Sequence, residues 1–396
     1  MLNENYIEKI LEMEDIKVTK VENFPEKVHL HIERKSKIHI CPKCKSETSK
    51  IHDYRTQKVL DLSIAGKRTY LCIRKKRYHC DCCNKHFYEK IQGIPKYRRT
   101  TDRLWWQVFK EMENQKSMKL IGKELGISGT SVARIFDYIS YTKIYFPKVI
   151  AIDEFKGNTG GEKYQTIITN PKKREVLDIL PNRKKDDLYH HFSKIQNKNN
   201  VEIVVMDMSN HFRNIVKDSF PNAKIVADKY HVVRQVSWAF ENVRKRVQKD
   251  FHPSKRKYFK RSKRLLLKRY SSLSDEERSY VSVMIDNSHD LAIAYYLKEE
   301  FQKVMRSKDQ YESKRELGKW FLKAEQANIP EFENAIKAFR NWSDEIAAAF
   351  ETHLTNGFTE GCNNKIKVIK RLSYGMRNYT RFRSRILHSF NANSYI

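Results

Sequence analysis

The feature that most constrains the fold is a series of five short apolar segments between residues 148 and 230. These segments read KVIAIDEF, YQTIITN, REVLDIL, VEIVVMDM and AKIVADKY. Short apolar runs bounded by polar residues are typical of buried strands. Helical patterns, KDDLYHHFSKIQ and HFRNIVKDSF, stand before and after the fourth run. Three early strands followed by strand–helix alternation predict a mixed α/β sheet covered by helices.

Strand patterns are absent for more than a hundred residues after His231. Helix-start signals replace them, because a Ser or Thr three residues before Glu forms a capping box and Pro favours the first helical turn. The signals are Ser274/Glu277, Ser313/Glu316 and Pro330. They predict an all-helical segment, in whose core we expect Trp320 and Trp342 to pack.

Six of the seven cysteines lie between residues 41 and 83. Two Cys-x-x-Cys pairs, Cys41/Cys44 and Cys80/Cys83, have the spacing that places two thiolates of one turn on the same tetrahedral zinc. Together they predict a zinc ribbon with one structural Zn²⁺, within residues 38–90. The 35 residues between the pairs require a pair of strands. Cys82 and His79 remain as alternative ligands.

Residues 102–141 change to a helical period. Within SMKLIGKELGISGTSVARIFDYI, apolar residues including Leu120 have the spacing of two short helices separated at Gly126, with Ser128 as the cap of the second. This pattern predicts a helix-turn-helix whose second helix exposes Thr130, Ser131 and Arg134 to the bases of a major groove. The alternative is an ordinary pair of antiparallel helices.

The charge balance favours nucleic acid as the partner. The chain has 78 Lys and Arg against 48 Asp and Glu, for a net charge of +30. An excess of this size suits a polyanion, although a solvated basic surface is the alternative. The sequence has neither a signal peptide nor the roughly 18 apolar residues of a membrane span, so we expect a soluble cytoplasmic protein without membrane association.

Three carboxylates are candidates for chemistry. Asp153 and Asp207 each lie at the end of a predicted buried strand, and Glu360 lies on the polar face of a predicted helix. A single aspartate at a strand end is usually a turn former. Two neighbouring carboxylates, however, imply a bound metal or a shared proton, and oxygen ligands favour Mg²⁺ or Mn²⁺.

The segment that follows Glu360 is strongly basic and contains no further acid. Such a segment could follow a phosphate backbone, and we expect Lys367, Lys370 and Arg371 to contact DNA. Its eight basic residues are Lys365, Lys367, Lys370, Arg371, Arg377, Arg381, Arg383 and Arg385.

Several motifs together resemble the DDE transposases of bacterial insertion sequences, most closely the ISL-three family. They are CPKC with YHCDCC, then VIAIDEF, VVMDMSNHFRN and ADKYHVVRQV, and finally NGFTEGCNNKIKVIKRLSYGMRNYTRFRSRIL. The resemblance covers essentially the whole chain. It implies an RNase H-like core with a helical insertion, in which Asp153, Asp207 and Glu360 hold two Mg²⁺ ions. Asp228 and His231 match a further family motif, as active-site support.

The resemblance also implies cleavage and strand transfer at the terminal inverted repeats of an insertion sequence, with these repeats and a target duplex as DNA partners. A homodimer is expected because two ends must meet. The alternatives are a non-catalytic DNA-binding regulator and a metal-dependent, structure-selective nuclease. The expected divisions are an N-terminal region, a helix-turn-helix domain, a first core part, an all-helical insertion and C-terminal core helices, at residues 1–98, 99–145, 146–245, 246–345 and 346–396.

Overall fold

The computed structural model describes residues 4–141 and 145–391. The chain forms two compact units. The first comprises Met1–Tyr141, Val368–Met376 and Ser384–Ile396, and the second comprises Thr142–Lys367 and Arg377–Arg383. Among the described residues, no helix is both long and apolar enough to cross a membrane.

The first unit begins with a helix and a five-stranded sheet. The sheet has the order β1-β2-β6-β5, with β7 beside β6. Strands β2 and β6 are parallel, whereas β5 and β6 form a long antiparallel hairpin that fills the interval between the cysteine pairs, as predicted. The elements are α1 (Glu4–Leu11), β1 (Ile16–Asn23), β2 (Lys27–Arg34), β3 (His39–Ile40), β4 (Glu47–Thr48), β5 (Ile51–Ile64), β6 (Lys67–Cys80) and β7 (Lys85–Tyr88).

Three helices follow, α2 (Asp102–Glu113), α3 (Met118–Leu125) and α4 (Gly129–Phe136). The Ser128 side chain caps α4 by accepting a hydrogen bond from the Ser131 N–H, as predicted. Gly126 ends α3 in the left-handed conformation, at φ 71°. A Cβ on Gly122 would lie 2.7 Å from the carbonyl oxygen of Ile127, so only glycine allows the two helices to approach this closely. Leu120, predicted to be buried, is 43% exposed and packs outside this core.

The second unit contains the mixed sheet that the apolar segments predicted. Its order is β10-β9-β8-β11-β12. Strands β8, β9 and β10 are antiparallel neighbours, whereas β11 pairs in parallel with both β8 and β12. The elements are β8 (Val149–Phe155), β9 (Gln165–Asn170), β10 (Glu175–Leu180), α5 (Lys185–Ser193), β11 (Ile203–Met206), α6 (Asn210–Ser219) and β12 (Lys224–Ala227).

Seven helices separate β12 from the C-terminal helices. They are α7 (Lys229–Lys249), α8 (Pro253–Leu267), α9 (Asp275–Ile285), α10 (His289–Met305), α11 (Gln310–Gln326), α12 (Pro330–Asn341) and α13 (Ser343–Thr352). The capping box at Ser274 and the start of α12 at Pro330 are confirmed. Trp320 and Trp342 are both 2% exposed, as the core reading expected.

The predicted capping box at Ser313 is wrong. Helix α11 begins one turn earlier, at Gln310, and the Asp309 side chain accepts the hydrogen bond from the Glu312 N–H. Ser313 is therefore an interior helical residue and is fully buried. Aspartate caps a helix as well as serine does, so the sequence is compatible with a helix start at either Asp309 or Ser313. Tertiary packing favours the start at Asp309.

Helices α14 (Gly357–Leu372) and α15 (Tyr379–Asn391) complete the chain. Thr359 in α14 hydrogen-bonds Thr169 of β9 at 2.9 Å. Arg383 in α15 donates to Asp178 of β10 at 2.6 Å. Arg385 is buried and donates to the carbonyl oxygens of Asn114 and Lys116. These two arginines contact other parts of the protein, and neither is among the three residues of this segment that were predicted to contact DNA.

Candidate active site

Asp153 lies within β8 and is 9% exposed. The predicted position at the strand end is wrong, because β8 stays paired with β9 as far as Phe155. Its Oδ1 accepts a hydrogen bond from the Glu154 N–H at 2.7 Å, and its Oδ2 accepts one from Asn363 Nδ2 at 2.8 Å. Burial, together with the charge of nearby Asp207, raises the pKa of Asp153 to about 7. The carboxyl is thus oriented by two donors in an environment that disfavours its charge.

Asp207 is the first residue after β11. Because β8 and β11 are parallel, with Met206 opposite Ile152, Asp207 emerges next to Asp153. Its Oδ2 lies 2.9 Å from Nδ1 of His231. Its Oδ1 is buried and has no hydrogen-bond partner among the described residues. Such an orphaned oxygen is costly unless a cation or proton occupies the space beside it.

Glu360 lies in the first turn of α14. Its Oε1 is 3.3 Å from Nε2 of His231, so the two nitrogens of one imidazole contact the carboxylates of Asp207 and Glu360. Burial opposes the charge of this ring. The hydrogen bond to Asp207 and the surrounding aspartates nevertheless raise the pKa of His231. The imidazole of His231 therefore links the residue after β11 to the first turn of α14.

Asp228 follows β12, the parallel neighbour of β11. It is 1% exposed, and burial raises its pKa. Its Oδ1 accepts a hydrogen bond from the Asn356 N–H at 3.1 Å, just before α14, while its Oδ2 has no partner among the described residues. Oxygen and nitrogen atoms of Asp207, Asp228 and His231 lie within 4.8 Å of one another. Asp228 thus contributes to the same cluster.

A cavity of about 460 Å³ opens beside Asp153 and Asp207. Its lining also includes Glu154 and three basic side chains, namely Arg183, Lys184 and His211. Arg183 is held by Glu154 at 2.8 Å. The cavity therefore joins acidic groups to cationic ones, as a polyanionic substrate with bound cations requires.

The donor set of this site fits a divalent cation with a preference for oxygen ligands. Asp153, Asp207, Asp228 and Glu360 supply carboxylate oxygens, and those of Asp207 and Asp228 include an atom without a protein partner. Hard oxygen donors of this kind suit Mg²⁺ or Mn²⁺ rather than thiolate-seeking metals.

The first unit holds a second metal-binding arrangement, formed by Cys41, Cys44, Cys80 and Cys83. The Cys41 and Cys83 sulfurs are 3.5 Å apart, and those of Cys44 and Cys80 are 3.4 Å apart. Four sulfurs on a tetrahedral zinc, at Zn–S distances of about 2.3 Å, would be separated by about 3.8 Å. Hydrogen bonds from Ser46 lower the pKa of Cys44 to about 5, which favours the thiolate.

The alternative zinc ligands lie apart from this cluster. Cys82 is exposed, and the ring of His79 contacts His86 and Asp81 instead. Of the sequence-predicted DNA contacts, Thr130, Arg134, Lys367 and Arg371 are exposed, whereas Ser131 and Lys370 are half-buried. Asn363 was not predicted from the sequence, although its position three residues after Glu360 places it on the same face of α14.

Comparison with known proteins identifies the family. A family model for ISL3 elements, described as a transposase, matches residues 150–386. A second model, described as the zinc-finger of transposase IS204/IS1001/IS1096/IS1165, matches residues 37–83. The transposase for insertion sequence element IS1001 of Bordetella parapertussis is 24% identical over 378 residues, which cover 92% of each chain.

Two further relatives match shorter stretches. The transposase for insertion sequence element IS1557 of Mycobacterium tuberculosis is 24% identical over 253 residues, 58% of this chain and 56% of that protein. A Lactococcus lactis protein named ATP-dependent protease is 30% identical over 112 residues, only 28% of this chain and 34% of its own. Because the ISL3 model covers most of the chain and the cysteine cluster supports a structural zinc, this chain belongs to the ISL3 family of insertion-sequence transposases, a family of DNA-processing enzymes.

Proposed function

We propose that this chain catalyses metal-dependent DNA cleavage and strand transfer at the ends of an insertion sequence. One observation carries the proposal: the imidazole of His231 contacts both Asp207 and Glu360, which are 153 residues apart in sequence, beside the buried Asp153. Carboxylates held this close repel one another, and bound cations reduce that repulsion. The family membership supports the same chemistry.

Asp153, Asp207 and Glu360 are the residues that would hold two Mg²⁺ ions. Bound Mg²⁺ would supply the charge that activates the attacking oxygen and stabilises the leaving oxygen in phosphoryl transfer. Asn363 holds the Asp153 carboxylate in position through its 2.8 Å hydrogen bond. The attacking group is water for end cleavage and the freed 3′-hydroxyl for strand transfer.

His231 and Asp228 support these ligands. The imidazole of His231 contacts both Asp207 and Glu360 and so keeps the start of α14 close to the sheet. Asp228 positions the same region by accepting the N–H of Asn356. Partners that orient metal ligands in this way typically affect metal affinity by about 10- to 100-fold.

We propose that the N-terminal modules recognise the DNA sequence of the terminal repeat. Helices α3 and α4 would act as a helix-turn-helix, with exposed Thr130 and Arg134 directed to the terminal repeat, and the zinc ribbon would assist. The β8–β12 sheet, followed by a helical insertion and then α14, supports an RNase H-like core. We retain the five divisions predicted from the sequence, at residues 1–98, 99–145, 146–245, 246–345 and 346–396, as part of this proposal. We propose a homodimer that joins two element ends, with target DNA on the basic surface near the site.

The test uses the full chain, Mg²⁺ and a duplex that carries the element ends. Wild type should cleave the ends and join them to a second duplex. Asp207→Asn should reduce the rates of cleavage and of joining by about a thousandfold, because losing one strong electrostatic contact to a transition state has an effect of this order. Asp275→Asn is the matched control, because this aspartate is 97% exposed on α9.

The possible outcomes of this experiment distinguish the transposase, the nuclease and the non-catalytic regulator. Metal-dependent cleavage with joined products supports the transposase, and cleavage without joining indicates a nuclease. Specific binding of the terminal repeat by wild type with no cleavage under Mg²⁺ or Mn²⁺ would leave a non-catalytic regulator and overturn the proposal.

A further inference from the structure

Helix α8 carries an unusual concentration of positive charge. Its 15 residues include seven Lys and Arg and no acid. We define the α8 basic face as Arg256, Lys257, Lys263 and Arg264, all of which are exposed. Their spacing of one, seven and eight residues places them on one side of a helix. The opposite side, formed by Phe259, Ser262 and Leu266, is buried.

These charges lack the partners that other cations of the same helical segment have. Arg256, Lys257 and Arg264 form no ion pair with any described residue, although the charge of Arg264 helps to lower the pKa of Glu277 in α9. Lys263 lies 3.5 Å from Glu241, but both oxygens of that carboxylate already accept hydrogen bonds from Arg244 at 2.7 Å. The exposed Lys245 and Lys249 near the end of α7 likewise have no ion pair with the described residues.

The neighbouring helices α9 to α13 are built differently. From Asp275 to Thr352 there are eleven Lys and Arg and sixteen Asp and Glu. Nine of the eleven cations form ion pairs, for example Lys319 with Glu316 and Arg340 with Glu325. In the described part of this segment, exposed cations without an ion pair are therefore concentrated on α8 and the end of α7, with isolated examples elsewhere such as Arg269 and Arg306.

Arg256 and Arg264 are eight residues apart, so the four charges form a positive stripe about 12 Å long on the helix. No acidic residue of α8 interrupts this stripe. A polyanion bound along the face would contact the stripe and would release its own counterions.

We propose that the α8 basic face binds the phosphate backbone of duplex DNA, independently of base sequence. A 15-residue helix is about 22 Å long, the length of about six base pairs. The inference rests on the proposed function only in taking DNA as the polyanion. It adds a binding surface outside the helix-turn-helix and outside the basic C-terminal segment.

The experiment measures binding of the full chain to a random-sequence duplex at several salt concentrations. The test variant carries Arg256→Ala, Lys257→Ala and Arg264→Ala. The control carries Lys319→Ala, Lys337→Ala and Arg340→Ala, which remove the same number of charges from exposed, ion-paired positions. Alanine retains helix propensity in both variants.

The α8 variant is expected to bind at least about tenfold more weakly near 0.1 M salt, and its slope of log K against log salt should fall by about 2 to 3, since each lost phosphate contact removes about 0.9. The control should lose less than about one unit of slope. Equal behaviour of the two variants overturns the proposal. The proposal is also overturned if the α8 variant changes self-association and leaves DNA binding unchanged, because the face would then contact a second copy of the chain.

A measurement on wild type keeps the test valid if the α8 variant is unstable. Duplex DNA should protect Lys257 and Lys263 from an amine-reactive reagent more strongly than Lys337, and equal protection counts against the proposal. Failure of the catalytic proposal is recognised separately, because binding to random duplex requires no cleavage.

Discussion

Replacement of Asp153 by asparagine is expected to stabilise the metal-free protein increasingly as the pH rises. Burial and the Asp207 charge raise the pKa of Asp153 from 3.8 to about 7. Between these values, the folded protein retains a proton that the unfolded chain has released. The free energy of unfolding of wild type therefore falls as pH rises through this window and is constant above it. Asparagine has no such proton to lose.

The magnitude follows from the size of the shift. About three pKa units correspond to about 4 kcal/mol, and the part between pH 5 and pH 8 is about 3 kcal/mol, to within roughly a factor of two. The asparagine retains a carbonyl oxygen for Asn363 but loses one acceptor, a cost of about 1 kcal/mol that does not depend on pH. The difference between the two pH values thus isolates the titration of Asp153.

The assay is urea unfolding in the presence of a chelator, followed by tryptophan fluorescence, since Trp320 and Trp342 are buried in the same unit. The gain of Asp153→Asn over wild type should grow by about 3 kcal/mol from pH 5 to pH 8. Asp275→Asn, at an exposed position, controls for the loss of one charge. Added Mg²⁺ should stabilise wild type and not the Asp153 variant. A gain that is equal at both pH values would refute the reasoning.

Three further predictions concern other parts of the molecule. Cys44→Ser should abolish the single zinc measured by elemental analysis, whereas exposed Cys82→Ser should retain it; zinc loss in both would contradict the assigned ligands. Gly122→Ala should lower the free energy of unfolding of the first unit by about 1 to 3 kcal/mol, because its Cβ would lie 2.7 Å from a backbone oxygen. Asn363→Ala and His231→Ala should each raise the Mg²⁺ concentration needed for half-maximal cleavage by about 10-fold or more, and an unchanged requirement would exclude a positioning role.

The mixed sheet could be predicted because each strand is apolar along its length and short, so the local sequence determines it. Strand β1, Ile16–Asn23, was not predicted, because apolar and polar residues alternate only weakly along it. Its hydrogen bonds with β2 hold it as a strand. The capping error at Ser313 has a related cause, since a neighbouring aspartate offered an equally good helix start. Tertiary packing decides such cases.

Asp153 and Asp207 were predicted from the ends of apolar runs, and Asp228 and His231 were predicted as support from the family resemblance, whereas Asn363 was not predicted. Only Asp207 lies at a strand end, because β8 continues two residues beyond Asp153. The contact of Asn363 with Asp153 joins residues 210 positions apart, and no local pattern encodes it. Burial of Arg385 was missed for the same reason: its partners are backbone carbonyls more than 260 residues earlier in the chain.

The long interval between Asp153 and Asn363 also sets the order of events during synthesis. A contact between residues far apart in sequence cannot form before the later residue has been made. Strands β8, β11 and β12 can assemble while later residues are still being made, but α14 must dock before Glu360 reaches His231. A partly synthesised chain would therefore form its cysteine cluster and its sheet before it acquires a complete set of carboxylates. The candidate active site would be completed last.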